Sequence, residues 1–463
     1  MNKFLVVGSG AAAVGTIYGL IDKYGESISI DILTSENFSG EISGTTPSKS
    51  LFMPKKTKQG KSIRRWQCVD DTLNVYDSRP HSMTQFWGAG MMPAQLTEGS
   101  CLLAEYGSAT EALLRRIPVL GADDYINQYL GHRSHNLVWP NASEFPEFDL
   151  DYNGMKFCSG KARISLMSSS EKSCTECGKC MSGCPEDVIW HSQMEIEKIS
   201  KIIDLSIING EVVKITSEGM VLSKESKLSE LAYDSYRSVF MCTGVASTIK
   251  VVFNSIEKAQ KIDFYDTPVY TIPLFILGSK YKQKIALSND MVLIDGSNGT
   301  QLASVYPFVE DIWETHVFKL FKKVGIIRKL LEQHLCFIRV YSNKDNPLRI
   351  SAKVDEEGKL VLSRESWKIC DNDKGLLSNL KRVLRRHKVY SLPLKVTNLN
   401  SAHYYGGSKT TIDDVEIAQI LKKKFPTIQF TDAFSLNSMP SISTTFSIMV
   451  NGYCKAQEFN SYD

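Results

Sequence analysis

The sequence predicts an α/β fold in two parts: a parallel sheet assembled from discontinuous segments of the chain, and a mixed α+β domain between them. Three observations carry this. The first 34 residues read as strand, glycine turn, helix and second strand. A buried apolar strand ending in a glycine turn, "YRSVFMCTGVAST" (Tyr236–Thr248), comes back far downstream. From about Phe253 to Tyr390 the pattern changes to long amphipathic and hairpin stretches that form a unit of their own.

Length and composition permit such a chain. Its 463 residues suit two or three domains, and 43% hydrophobic with 23% charged residues is an ordinary globular mixture. Fifty-four Lys and Arg against 51 Asp and Glu leave a net charge of only +3, which argues against a nucleic-acid partner. The basic run "PKKTKQGKSIRR" (Pro54–Arg65) reads as a solvated loop. Glycines break the apolar N-terminus too early for a signal peptide, and no apolar run is long enough for a membrane span. Eleven cysteines, an odd number with four packed together, read as reduced thiols in the cytoplasm plus one ligand cluster.

The first strand, Phe4–Val7, runs into Gly8, Gly10 and Ala13, which fit G-x-G-x-x-(G/A). Gly8 permits the tight turn, Gly10 lets the backbone approach a pyrophosphate, and Ala13 lets helix pack on strand. The helix is expected over Ala11–Lys23 with Gly25 as its stop, and its N-terminus faces the phosphates. "SISIDIL" (Ser27–Leu33) is the second strand. An acidic residue should close it and bind a ribose hydroxyl, but Thr34 holds that place; Glu36 is the candidate instead, and Asp31 lies inside the strand. This is a FAD/NAD(P)-binding Rossmann-type domain. "INGEVVKI" (Ile208–Ile215, with Val213) and the strand ending at Gly244 resemble the way FAD/Rossmann flavoproteins return to the nucleotide domain, and together they favour FAD.

Near the C-terminus stand "NSAHYYGGS" (Asn400–Ser408) and "FTDAFSLNSMPSISTTFSIMVNGYCKA" (Phe430–Ala456). This pair is similar to the C-terminal region of glucose–methanol–choline (GMC) oxidoreductases. His403 with Gly406 and Gly407 matches the histidine and its glycine turn; Asp432 and Pro440 match a "D-x-S…P" element. Thr445, with a helix over Phe446–Lys455, matches the close. "TQFWGAGMMP" (Thr84–Pro93) resembles the family's glycine-rich segment beside the flavin ring, which makes Gly88 and Gly90 cofactor-binding candidates. The resemblance covers the first hundred residues, about 155–250, and the last seventy. It implies an FAD-dependent dehydrogenase oxidising a CH–OH group of a sugar, polyol or other alcohol. His403 would take the hydroxyl proton as hydride leaves for the flavin, since imidazole, with an unperturbed pKa of about 6.5, accepts a proton near neutrality. Ser443 stands where the family carries His or Asn. A serine can hydrogen-bond a substrate oxygen but cannot replace a base.

"CTECGKCMSGCP" has the C-x2-C-x2-C-x3-C-P spacing of bacterial-type ferredoxins. Cys174, Cys177, Cys180 and Cys184 are therefore candidate ligands of an iron–sulfur cluster, a [4Fe–4S] cubane by spacing. Zinc normally wants two separated pairs, but a metal-free loop stays open, since some GMC flavoproteins carry a similar segment without known metal. The fourth ligand is Cys184 or the upstream Cys158. A cluster near the flavin would pass electrons singly to an external protein acceptor, giving a dehydrogenase with little oxidase activity. Two rivals remain: a reductase fed by ferredoxin and acting on C=C or C=O, and a non-catalytic flavin-binding electron-transfer subunit.

The expected division is 1–100, first part of the FAD domain; 101–200, an insertion with the cysteine loop 158–185; 201–254, its second part; 255–390, the substrate domain; and 391–463, the catalytic close. Within the substrate domain, Val305–Leu335 has a helical period, Pro347–Ser366 reads as a hairpin, and Gly375–Tyr390 as an amphipathic helix with a solvated basic face. His81, His132, His135, His191, His316, His334 and His387 read as packing or surface residues.

Overall fold

The computed structural model describes residues 2–34, 103–117, 145–162, 186–224, 227–278, 290–297, 299–307, 333–342, 345–355, 360–392, 396–398, 403–439 and 444–459, with a few short pieces between them. The initial strand–turn–helix–strand unit forms: Lys3–Val7, then Ala11–Tyr24, then Ser29–Thr34. Five parallel strands lie in the order Ile428–Phe430, Ser238–Met241, Lys3–Val7, Ser29–Thr34, Asp204–Asn209. Both faces are covered, so the strands read as unbroken apolar runs. Phe4, Val6, Ile30 and Ile32 face the first and last helices, while Leu5, Val7, Leu33, Val239 and Met241 face the helix Val245–Ser255 and its neighbours.

The first helix and the final helix, Thr444–Glu458, touch backbone to backbone. A methyl group built on Gly15 would stand 1.8 Å from the Met449 carbonyl oxygen, and one on Gly452 2.5 Å from that of Ala12. Only glycine permits that approach, and it locks the chain's end onto its beginning.

The second layer is an antiparallel platform. Among the described residues it runs Val389–Ser391, Val269–Ile276, Leu335–Tyr341, Gly299–Pro307, Asp290–Gly296, Met155–Lys161, Asp149–Tyr152, with Val396–Asn398 also on Val269–Ile276. Its outer face (Ile272, Leu274, Val292, Ala303, Val305, Ile338 and Val340) packs under the helix Asp371–Arg386 through Leu376, Leu380 and Val383. A smaller sheet, Lys261–Asp266 with Leu348–Val354 and Leu360–Arg364, joins the two layers.

Several expectations shift by a register or a boundary. Ile208–Ile215, read as a strand with a turn, divides between two sheets at Gly210: Asp204–Asn209 joins the parallel sheet and Glu211–Ile215 opens an antiparallel meander. The helical period over Val305–Leu335 begins and ends in strands, Gly299–Pro307 and Leu335–Tyr341; the stretch between lies outside the described residues. The basic helix starts at Asp371, where the Cys370 sulfur accepts the Asp373 N–H, and ends at Arg386. The hairpin expected within Pro347–Ser366 forms as Leu348–Val354 and Leu360–Arg364. Among the described residues no helix is long and apolar enough to cross a membrane.

Candidate functional site

Three parallel strands end side by side, and their turns build one edge. The Gly8 N–H donates to Leu33 O at 2.8 Å, Cys242 N–H to Val7 O at 2.8 Å, and Thr431 N–H to Met241 O at 3.0 Å. Gly8 sits at φ +110°, and a methyl there would lie 2.4 Å from the Cys242 carbonyl oxygen, so two turns share a space that a side chain would fill. Gly10 precedes the first helix without a side-chain cap, which leaves the first-turn N–H groups pointing along the sheet's carboxyl edge. Ala13 is fully buried beneath them. Gly244, at φ +80°, has open space where a side chain would stand. A helix N-terminus opening on such an edge attracts anionic groups.

Hydrogen bonds tie these turns together. Thr16 Oγ1 donates to Thr431 Oγ1 at 3.2 Å, and Thr431 Oγ1 meets the Cys242 thiol at 3.0 Å. Burial pushes that thiol up to about 12, so Cys242 is a neutral packing group. Asp432 accepts Phe434 N–H at 3.0 Å on one oxygen and the Thr248 hydroxyl at 2.8 Å on the other. Burial still raises its carboxyl to about 6, against the pull of those bonds and of Gly244 N–H. Asn451 of the final helix donates to Thr431 O at 2.9 Å. Thr445 lies in that helix's first turn, half-buried.

The His403 segment docks on the same edge. Gly406 N–H donates to Ala433 O at 2.9 Å, and a methyl on Gly407 would stand 2.7 Å from the Phe434 ring. Tyr405 and Tyr265 exchange two backbone hydrogen bonds of 2.9 Å, which fix the segment to the joining sheet as well. His403 N–H donates to the buried Asp266 carboxylate at 3.0 Å, and the imidazole stacks on Tyr341 of the platform with centroids 5.4 Å apart. Desolvation, then the Arg339 guanidinium, hold the His403 imidazolium down to about 3. The ring is therefore neutral near pH 7, a stronger displacement than its unperturbed value suggests.

Of the residues singled out from sequence, Gly8, Gly10, Ala13, Gly244, Asp432 and Thr445 stand on elements of this one edge, and the His403 turn is bonded to it. Val213 sits at a bulge in the meander, and its carbonyl receives Asn254 Nδ2 at 2.8 Å. Gly90 bridges to Ile164. Glu36, Gly88, Cys177 and Ser443 lie outside the described residues. Thr34, where an acid was expected, meets the Ser9 hydroxyl at 3.2 Å. Asp31 is engaged within the sheet by Lys3, Ser206 and Tyr236, whose hydrogen bonds hold its carboxyl low despite desolvation. Thr16, Thr248, Asp266, Thr431 and Asn451 were not foreseen. Thr16 and Asn451 are lone polar residues in apolar stretches; Thr248, Asp266 and Thr431 each stand beside another polar residue and carry no motif of their own.

Of the four clustered cysteines, Cys174, Cys180 and Cys184 are described. Cys180 is buried, and Cys174 and Cys184 are half-buried against the same core as Trp190. Cys158 lies on the platform strand Met155–Lys161, its thiol donating to Asp149 at 3.1 Å. Among the described residues no three His, Cys, Asp or Glu side chains converge as metal ligands. The ferredoxin-like spacing is thus not matched by an assembled ligand set among the described cysteines.

No family model matches the sequence, and no curated protein matches it. Solved structures do. Pyridoxine 4-oxidase from Mesorbium loti superposes with a TM-score of 0.60 at 9% identity, covering 99% of each chain. An FAD-dependent oxidoreductase from Chaetomium thermophilum gives 0.51 at 11% identity over 98% of each chain. Formate oxidase from Aspergillus oryzae gives 0.50 at 9% identity, covering 98% of this chain and 97% of that one. The chain has the fold of these oxidoreductases.

Proposed function

We propose that the protein is an FAD-dependent oxidoreductase of GMC type that oxidises a CH–OH group, with His403 as the proton acceptor. One observation carries this reading: the His403 turn is hydrogen-bonded onto the Asp432 turn, at the edge where the glycine-led first helix opens.

The residues present fit FAD. The uncapped N-terminus of Ala11–Tyr24 suits a diphosphate, and the open space at Gly244 leaves room for it. Ser447, buried in the final helix near the same edge, has a hydroxyl with no hydrogen-bond partner among the described residues. FAD, when bound, supplies the two-electron acceptor for the C–H hydride. The protein's own part is to hold the alcohol between platform and edge and to take the O–H proton on an imidazole nitrogen. A ring that enters neutral has its lone pair available, and its low basicity favours giving the proton back. Asp266 fixes the backbone of His403, and the Tyr341 ring fixes its plane. We extend the site to Gly88, Gly90, Ser443 and Thr445 on the GMC resemblance, to Val213 on the resemblance to FAD/Rossmann flavoproteins, and to Glu36 by its place after the second strand.

Two of the similar structures are named as oxidases, so molecular oxygen belongs beside artificial dyes as a trial acceptor. The test is to reconstitute the protein with FAD and follow anaerobic bleaching of the flavin by a panel of alcohols and sugars. His403→Asn should slow that bleaching roughly a hundredfold or more, the usual worth of a positioned base. Unchanged bleaching in the variant would remove His403 from this role.

A further inference from the structure

The inner face of the platform carries a guanidinium, that of Arg339, with no direct carboxylate partner among the described residues. Along Leu335–Tyr341, the residues Cys336, Ile338 and Val340 turn outward into the core under the helix Asp371–Arg386. Phe337, Arg339 and Tyr341 turn the other way, because side chains alternate along a strand. Tyr341 carries the His403 ring on that face. Arg339, two residues before it, is then roughly 7 Å along the same row. Arg339 faces Ser304 on one neighbouring strand and Thr271 on the other, so two hydroxyl side chains flank the guanidinium on the same face.

Arg339 is half-buried, yet its side chain makes no ion pair or hydrogen bond among the described residues. Two other half-buried cations each hold a carboxylate: Lys161 holds Asp290 at 2.7 Å and Lys250 holds Glu211 at 3.2 Å. A partly desolvated guanidinium normally has a partner, since its five donors lose water on burial. An unpaired one beside the proposed base destabilises that base's protonated form and brings no evident gain to the folded chain. It does match a ligand that brings its own negative charge.

We infer that Arg339, with Ser304 and Thr271, recognises a carboxylate on the substrate, so that the alcohol oxidised at His403 is a hydroxy acid or sugar acid. This rests on the oxidoreductase reading above. A single guanidinium balances one negative charge, and its planar fork matches a carboxylate in two parallel hydrogen bonds. The carbinol carbon then lies toward His403, with the acid toward Arg339. No other group is consumed: the alcohol loses a hydride to the flavin and a proton to the imidazole, and leaves as the carbonyl acid.

The experiment uses the FAD-reconstituted full chain and matched pairs: glycolate against ethylene glycol, glycerate against glycerol, glucuronate against glucose, with glycerol 3-phosphate as a phosphate arm. Dye-linked kcat/KM should favour the acids by roughly tenfold to a hundredfold, the worth of a charge-assisted hydrogen bond. Arg339→Gln should bring the acid-to-neutral ratio close to one, and Arg339→Lys should restore part of it. Acetate, which cannot be oxidised, should raise the melting temperature of the wild-type protein and not that of Arg339→Gln. Equal kcat/KM within pairs, a preference that survives Arg339→Gln, or a preference for glycerol 3-phosphate alone would overturn the proposal. Acetate protection without reduction of the flavin by any alcohol would leave the anion site standing and remove the oxidation reading instead.

Discussion

His403 and Asp432 face the same edge with ionisations displaced in opposite senses, and acid titration separates them. Burial and Arg339 lower the imidazolium of His403 from 6.5 to about 3. The unfolded chain therefore binds the extra proton first, and His403 costs stability as pH falls from 6.5 toward 3. Burial raises the Asp432 carboxyl from 3.8 to about 6. Here the folded chain holds the extra proton, so its contribution is present below 3.8 and is lost as pH rises through about 6. Between pH 4 and 6 the two slopes oppose one another. His403→Asn should flatten the rise of stability with pH across that window, and Asp432→Asn should steepen it. Urea midpoints of the FAD-free protein at several pH values read both. Parallel shifts of the whole curve, without a change in slope, would place the displaced ionisations elsewhere.

At the scale of elements, the contact of first and last helices positions the site, because it fixes the Asp432 turn relative to the glycine turn. Gly15→Val should cost on the order of 3 kcal/mol or more, since a side chain there meets backbone that cannot move aside. Gly375→Ala tests the opposite case. That glycine lies inside the helix Asp371–Arg386 with nothing within 4 Å of an added methyl, so the change should stabilise by about 0.5–1 kcal/mol through helix propensity. Chemical denaturation of both variants gives the contrast. The sequence makes the helices legible through apolar period and, for the first, a glycine stop at Gly25. It cannot say that one glycine is walled in by Met449 and the other faces open space, because that depends on a partner more than four hundred residues away. The same limit explains Ile208–Ile215, where the glycine turn is legible but not that the chain changes sheet at Gly210.

For the whole molecule, the legible part is the half that repeats a local rule. The glycine turn with its flanking strands, the returning strand at Gly244 and the closing helix all announce themselves within a dozen residues or so. The platform does not, since its strands pair across long separations, such as Asp290–Gly296 with Met155–Lys161, and no local motif encodes that pairing. Arg339 went unremarked for the same reason: on the strand it is one charged residue in an apolar run, and its meaning arises only when Tyr341 and His403 come beside it. The cysteine spacing is a strong linear signal for which the described members give no assembled ligand set, Cys177 lying outside the described residues.

The central claim is that this edge binds FAD and that an alcohol reduces it. The most direct measurement is the anaerobic visible spectrum of the FAD-reconstituted protein, with flavin and iron quantified, before and after glycolate, glycerate or glucuronate is added. The account predicts about one FAD per chain and bleaching of the flavin band by at least one of these acids. Failure to retain FAD, or a retained flavin that neither these acids nor any neutral alcohol reduces, would contradict it.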